Sequence, residues 1–178
     1  MDVLTCVRTR RTVRSFKPDA VPDDIVERVL QAARWAPSSR NQQPWHLIVV
    51  RSPETLRKLG SIAASGRFIA DSTVAIAMAM EASDRADLDA GRALQQMELV
   101  AWSEGLGTCF VGVRDPHQNR EIKTLLGIPD AMALITVMPF GYRPDDFQGK
   151  GGPRKPLSDM VHVETFGNPY AAGTSGSL

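Results

Sequence analysis

Residues 36–45 read Ala36-Pro37-Ser38-Ser39-Arg40-Asn41-Gln42-Gln43-Pro44-Trp45, ten positions dense in hydroxyl and amide groups between two apolar runs. On the N-terminal side Ile25, Val26, Val29, Leu30 and Ala33 recur on one helical face. Pro22 suits the first position of that helix, and Pro37 stops it. On the C-terminal side Leu47, Ile48, Val49 and Val50 are short, apolar and largely β-branched, which predicts a strand over 46–51. The polar decapeptide is thus a passage from helix to strand set against a core, where polar groups need partners. Alternating hydroxyl, amide and backbone donors fit a polyol chain or the edge of a heterocycle. An ordinary helix-to-strand loop is the alternative.

Working outward, 2–10 carries Val3, Leu4 and Val7 at helical spacing and ends in arginines, where cations complement the helix dipole. Ser52-Pro53 forms a cap and first turn for a helix running to about 65. Residues 73–80 are apolar almost without alternation, as expected of a central strand covered on both faces. The longest helical pattern spans 87–104, with Gly105 positioned for a left-handed C-terminal residue. A brief apolar segment over 108–113 precedes a helix over 116–126 that stops at Gly127, and 133–140 reads as another buried strand. A loop rich in Gly, Pro and charge follows over 141–156, then an edge strand over 161–166 and a small, polar, flexible end over 171–178. Strands separated by helices imply a layered α+β architecture, an α/β sandwich.

The chain has 178 residues, enough for one domain with a sizeable core. Its 43% hydrophobic and 23% charged content excludes disorder, and its net charge of +1 gives no global field toward nucleic acid or an anionic membrane. No run approaches the roughly 20 apolar residues of a membrane span, and Met1-Asp2 opens no secretion signal, so a cytoplasmic protein is expected. Cys6 and Cys109 are read as reduced thiols, and His46, His117 and His162 stand in no zinc-binding spacing, so no metal is expected.

The second chemical signal is Arg10-Arg11-Thr12-Val13-Arg14, which delivers three guanidinium groups and a hydroxyl at a helix end. Guanidinium forks match phosphate oxygens, and a solvated basic helix end is the bland alternative. Other motifs fail. Gly149-Lys150-Gly151-Gly152 lacks the spacing and the hydroxyl of a P-loop and reads as a flexible loop. Gly105-Leu106-Gly107 follows a helix and precedes a strand, the reverse of a dinucleotide-binding turn. Cys109 reads as a buried structural thiol rather than a nucleophile served by His117. His46 and His162 read as strand residues with no carboxylate partner, and Trp35, Trp45 and Trp102 as packing residues.

In order along the chain, these pieces resemble the nitroreductase family of flavoproteins. Its opening segment is matched by Arg10, Arg11, Thr12, Arg14 and Phe16, and its second by Ala36, Pro37, Ser38, Asn41, Gln43, Pro44 and Trp45. A third is matched by Gly105, Leu106, Gly107, Cys109 and Gly112, and the late basic residue before a proline by Arg154 and Pro156. The resemblance spans about residues 1–166 as one domain, leaving 167–178 as a flexible tail.

The resemblance implies a mixed central sheet packed by helices, a homodimer with FMN at the subunit interface, and a C-terminal arm exchanged between subunits. NAD(P)H would be co-substrate, with a small planar acceptor such as a nitroaromatic or quinone served by a ping-pong mechanism. Arg10, Thr12 and Arg154 would hold the phosphate with Arg11 beside them, and Arg14 would reach the pyrimidine side of the ring. Pro37, Ser38, Ser39, Asn41 and Gln43 would meet ribityl or ring edges from the second subunit, with the backbone of Val111 and Gly112 near the hydride-accepting nitrogen. No catalytic side chain is implied, because the cofactor carries the chemistry. Larger relatives have a second basic residue where this chain has Gly152, and further ring contacts from the segment that is here 67–72. The same cradle also serves reductive dehalogenation, flavin-consuming chemistry, or FMN binding without turnover.

Overall fold

The computed structural model describes residues 1–149 and 151–170, so the flexible end expected over 171–178 lies outside the described residues. The elements are α1 (Val3–Thr9), α2 (Asp23–Arg34), β1 (Trp45–Val50), α3 (Pro53–Ile62), β2 (Val74–Met80), α4 (Ala86–Ser103), β3 (Leu106–Thr108), α5 (Pro116–Leu126) and β4 (Ala133–Tyr142). Helix starts follow side-chain chemistry. Asp2 accepts from the Thr5 N–H at 3.0 Å, Ser52 from Thr55 at 3.3 Å and Asp115 from Gln118 at 2.9 Å, each satisfying an otherwise orphan amide. Gly127 closes α5 at φ 67°, and Gly105 turns the chain out of α4 at φ 84°, both left-handed positions. Pro22 stands one position earlier than its sequence suggests, as the cap residue of α2.

The strands form one sheet in the order β1-β2-β4-β3, every neighbouring pair antiparallel. Its parallel component is an isolated bridge between Thr12 and Thr108, which lays residues 11–14 along β3. β2 is fully buried because helices cover both faces. Val74, Ile76, Met78 and Met80 face a cluster with Val26 and Val29 of α2 and Leu94 and Met97 of α4. Ala75, Ala77 and Ala79 face the opposite cluster with Leu56 and Leu59 of α3 and Ile122 of α5. Period-two alternation thus divides large from small side chains between two buried layers.

Three expectations change. Residues 108–113 are not one strand: β3 ends at Thr108, and the chain rejoins β4 only where Gly112 bridges Thr136 and the Thr136 hydroxyl donates to the Val111 carbonyl at 3.0 Å. Residues 161–166 form no strand. Left-handed Glu164 and Gly167 fold them into a turn closed by Val163 N–H to Asn168 O (2.8 Å), with a single bridge from His162 to Pro169. Trp35 lies 75% exposed at the end of α2 with the Arg34 guanidinium 5.7 Å from its ring, so it does not pack in the core.

Candidate functional site

The arginine segment leaves α1 in extended conformation. The Val13 N–H donates to Thr108 O at 2.9 Å, and Val13 is fully buried against Gly107, where a Cβ would come within 2.5 Å of the Val13 Cβ. Alternation along an extended segment then turns Thr12 and Arg14 to the exposed side. Arg10 stays partly covered, its Nε 3.5 Å from Glu98 Oε2 on α4. Burial pushes the Glu98 carboxyl above its ordinary range, and Arg10 pulls against that rise.

Arg11 is held tightly. Its Nη1 donates to the carbonyls of Arg8 (2.8 Å) and Arg10 (2.9 Å), while its buried Nε has no partner among the described residues. Gly149 and Gly151 lie directly over this side chain: a Cβ at either would approach Arg11 atoms to 2.5 Å. These glycines, which in sequence suggest only a flexible loop, form a cradle around a guanidinium. Arg154 follows three residues later, within about 11 Å of Gly151 by chain reach, and its side chain is exposed. Arg14 stands 5.9 Å from the Phe68 ring centroid and beside Cys109. Burial raises the Cys109 thiol pKa, which suits a structural thiol and not a nucleophile. Cys6 is likewise free and buried.

The polar loop over 36–43 is built differently. It contains three non-glycine residues at positive φ, Arg40 (53°), Asn41 (55°) and Gln43 (50°), a conformation costing roughly 1–3 kcal/mol for each residue. Internal bonds offset that cost. Ser38 Oγ accepts from the Gln43 N–H at 2.9 Å, and the Ser39 N–H donates to both carboxylate oxygens of Asp89 at 3.0 and 3.2 Å. Asp89, in the first turn of α4, is completely buried, and Arg92 Nη1 lies 3.3 Å from its Oδ1. The side chains of Asn41 and Gln43 remain exposed, and with Arg34, Trp35, Ala36 and Pro37 they line a cavity of about 360 Å³.

Within one chain the two groups do not meet. Glu98 braces the arginine segment and Asp89 the polar loop, nine residues apart on α4, or about 13 Å along its axis. Val111 follows two residues after Cys109, which Arg14 contacts, and Gly66 abuts it so closely that a Cβ there would reach Val111 Cγ1 at 2.6 Å. Asp89, Arg92, Phe68 and the Gly149 and Gly151 cradle carry no local sequence signal, since an acid in a first helical turn is ordinary. His46 also gains a partner its sequence did not suggest, Glu81 Oε1 at 3.2 Å, because β1 and β2 pair antiparallel.

Three guanidinium groups opposed by one carboxylate, an unpartnered buried Nε and a glycine cradle fit an anionic group such as a phosphate. On an α+β sandwich, they make this segment a candidate site for a phosphate-bearing ligand. The chain belongs to the nitroreductase family, whose profile matches residues 7–75 and 65–142. It is 34% identical over 172 residues to a Methanothermobacter thermautotrophicus protein provisionally named NADH dehydrogenase/NAD(P)H nitroreductase, covering 93% of this chain and 88% of that protein. It is 26% identical over 191 residues to a Bacillus subtilis FMN reductase [NAD(P)H], covering 94% of this chain and 75% of the relative. An FMN-dependent nitroreductase from Clostridium difficile superposes with a TM-score of 0.81 at 26% identity, covering 92% of this chain and 99% of the other.

Proposed function

We propose that this protein is an FMN-dependent oxidoreductase that passes hydride from NAD(P)H to a small planar acceptor such as a nitroaromatic or quinone, in ping-pong order, with two copies of the chain completing each site. The observation that carries the reading is the Arg10–Arg14 segment, with its excess of donors over carboxylates and its orphaned Arg11 Nε under the glycine cradle. Family membership makes the chain an oxidoreductase, and the names of its relatives favour FMN and a reduced nicotinamide.

Bound FMN would supply the two-electron carrier between the nicotinamide and the acceptor. Arg10, Thr12 and Arg154 would hold its phosphate, and Arg11, locked by backbone carbonyls, would add fixed positive charge. Arg14 would reach the pyrimidine side of the ring, where a cation would stabilise the electron-rich reduced cofactor and raise its potential. Pro37, Ser38, Ser39, Asn41 and Gln43 of the second copy would meet the ribityl chain and ring edge, and the backbone of Val111 and Gly112 would border the reacting nitrogen. Within the loop, Ser39 Oγ and Gln43 Nε2 make only long contacts, to Asp89 at 3.5 Å and to the Asn41 carbonyl at 3.4 Å, and the Asn41 and Gln43 side chains stay exposed for these contacts.

A homodimer is supported by the large apolar side chains that one chain leaves uncovered. Val3, Leu4 and Val7 of α1 and Leu157, Met160, Val163, Phe166 and Tyr170 of the C-terminal arm are exposed, Phe166 by 93%. An absorption spectrum of the purified protein tests the proposal. Flavin bands are expected, bleached anaerobically by NADH or NADPH and restored by a quinone. A protein that stays colourless with added FMN overturns the reading.

A further inference from the structure

The polar loop and the buried carboxylate beneath it carry an inference that rests on the FMN reading and deepens it. Asp89 has no exposure, yet it lies in neither the arginine turn nor the exposed rim of the loop. Its polar contacts converge on the start of the loop. The Ser39 N–H donates two bonds, Ser39 Oγ makes a long 3.5 Å contact, and the Arg92 guanidinium balances the charge. Immediately beyond Ser39 the chain enters the left-handed conformation at Arg40 and Asn41. Without an anchor, non-glycine residues leave that region readily, since relaxation relieves the strain.

Ser38 Oγ on the Gln43 N–H ties the two ends of the loop to each other, and buried Pro44 holds the downstream end. Among the described residues, the Asp89 bonds are what tie the upstream end to α4. We infer that Asp89, charge-balanced by Arg92, is a positioning residue: it fixes the Ser39–Gln43 backbone in the conformation that presents the Asn41 and Gln43 side chains to the flavin. A second-copy loop set by a carboxylate the flavin never touches would make ring contacts depend on the start of α4.

Asp89→Asn keeps size and shape but removes the charge that Arg92 balances and turns one acceptor into a donor. In the apoprotein, amide hydrogen exchange at Ser39, Asn41 and Gln42 is expected to accelerate at least tenfold, with β2 amides unchanged. In the holoprotein, the Kd for FMN should rise tenfold or more, and the visible flavin bands should shift, a change that simple loss of global stability would not cause. If the variant fails to fold, Arg92→Gln, an exposed-side change, should give the same spectral shift with a three- to tenfold rise in Kd. Wild-type protein that binds FMN, with variants unchanged in exchange, Kd and spectrum, overturns the inference alone. Wild-type protein that binds no FMN overturns the function while leaving the exchange test of the loop intact.

Discussion

The Arg10–Arg14 segment and the stretch over 151–170 both carry arginines assigned to one phosphate, yet they are held in opposite ways. The first is bolted to its own chain by the Thr12–Thr108 bridge, buried Val13 and the Glu98 contact of Arg10. Beyond Gly151, which lies against Arg11, the second is almost wholly exposed, carries large uncovered apolar side chains, and closes its backbone hydrogen bonds on itself. The difference separates what a lone chain stabilises from what needs a second surface. Hydrophobic burial of roughly 25 cal/mol per Å² is available to the arm only if another molecule supplies the covering face.

The sharpest way to break this contrast is to remove the arm while keeping Arg154, by ending the chain after Lys155. Loss of self-association in sedimentation and loss of retained flavin absorbance are expected, with far-UV circular dichroism largely preserved. A truncated chain that stays dimeric and yellow would mean the arm is decoration.

Gly107→Ala attacks the bolted region instead. A Cβ there meets all three Val13 side-chain carbons at 2.5–2.6 Å, and overpacking of this kind costs roughly 1–3 kcal/mol. Urea denaturation should report that loss even in protein that no longer dimerises. Arg154→Ala should leave the urea midpoint of the apoprotein unmoved, because the side chain is exposed, yet weaken FMN binding by roughly 1.5–3 kcal/mol. Equilibrium dialysis with FMN checks it, and unchanged affinity would remove Arg154 from the phosphate site.

The smallest effect concerns Glu98. Its pKa is raised in the folded chain, so the proton it binds favours the folded state at acid pH. That contribution is complete below the unfolded value and is lost as pH rises through the folded one. Glu98→Gln should therefore flatten the pH dependence of stability across the carboxylate range, measured by denaturation at pH 4 and pH 8.

Local chemistry made much of this legible. Asp2, Ser52 and Asp115 announce helix starts, Gly105 and Gly127 announce ends, and the unbroken apolar run at 74–80 announces a strand buried on both faces. The arginine turn and the polar loop were legible as candidates for the same reason: many donors in few residues. What stayed hidden is long-range pairing. Asp89 meets Ser39 across 50 positions, and His46 meets Glu81 across 35, contacts that exist only once α4 and the sheet are assembled. The strand expected over 161–166 failed on a related point, because apolar residues form a strand only beside a partner edge, and left-handed Glu164 and Gly167 turn this segment back on itself.

The unequal faces of β2 have a consequence for how the chain finds its register. Sliding this strand by one position would drive Met78 into space sized for a methyl group and leave alanines facing a gap sized for methionine. Misalignment would be penalised on both sides at once, so the alternation along β2 by itself selects one alignment with β1 and β4.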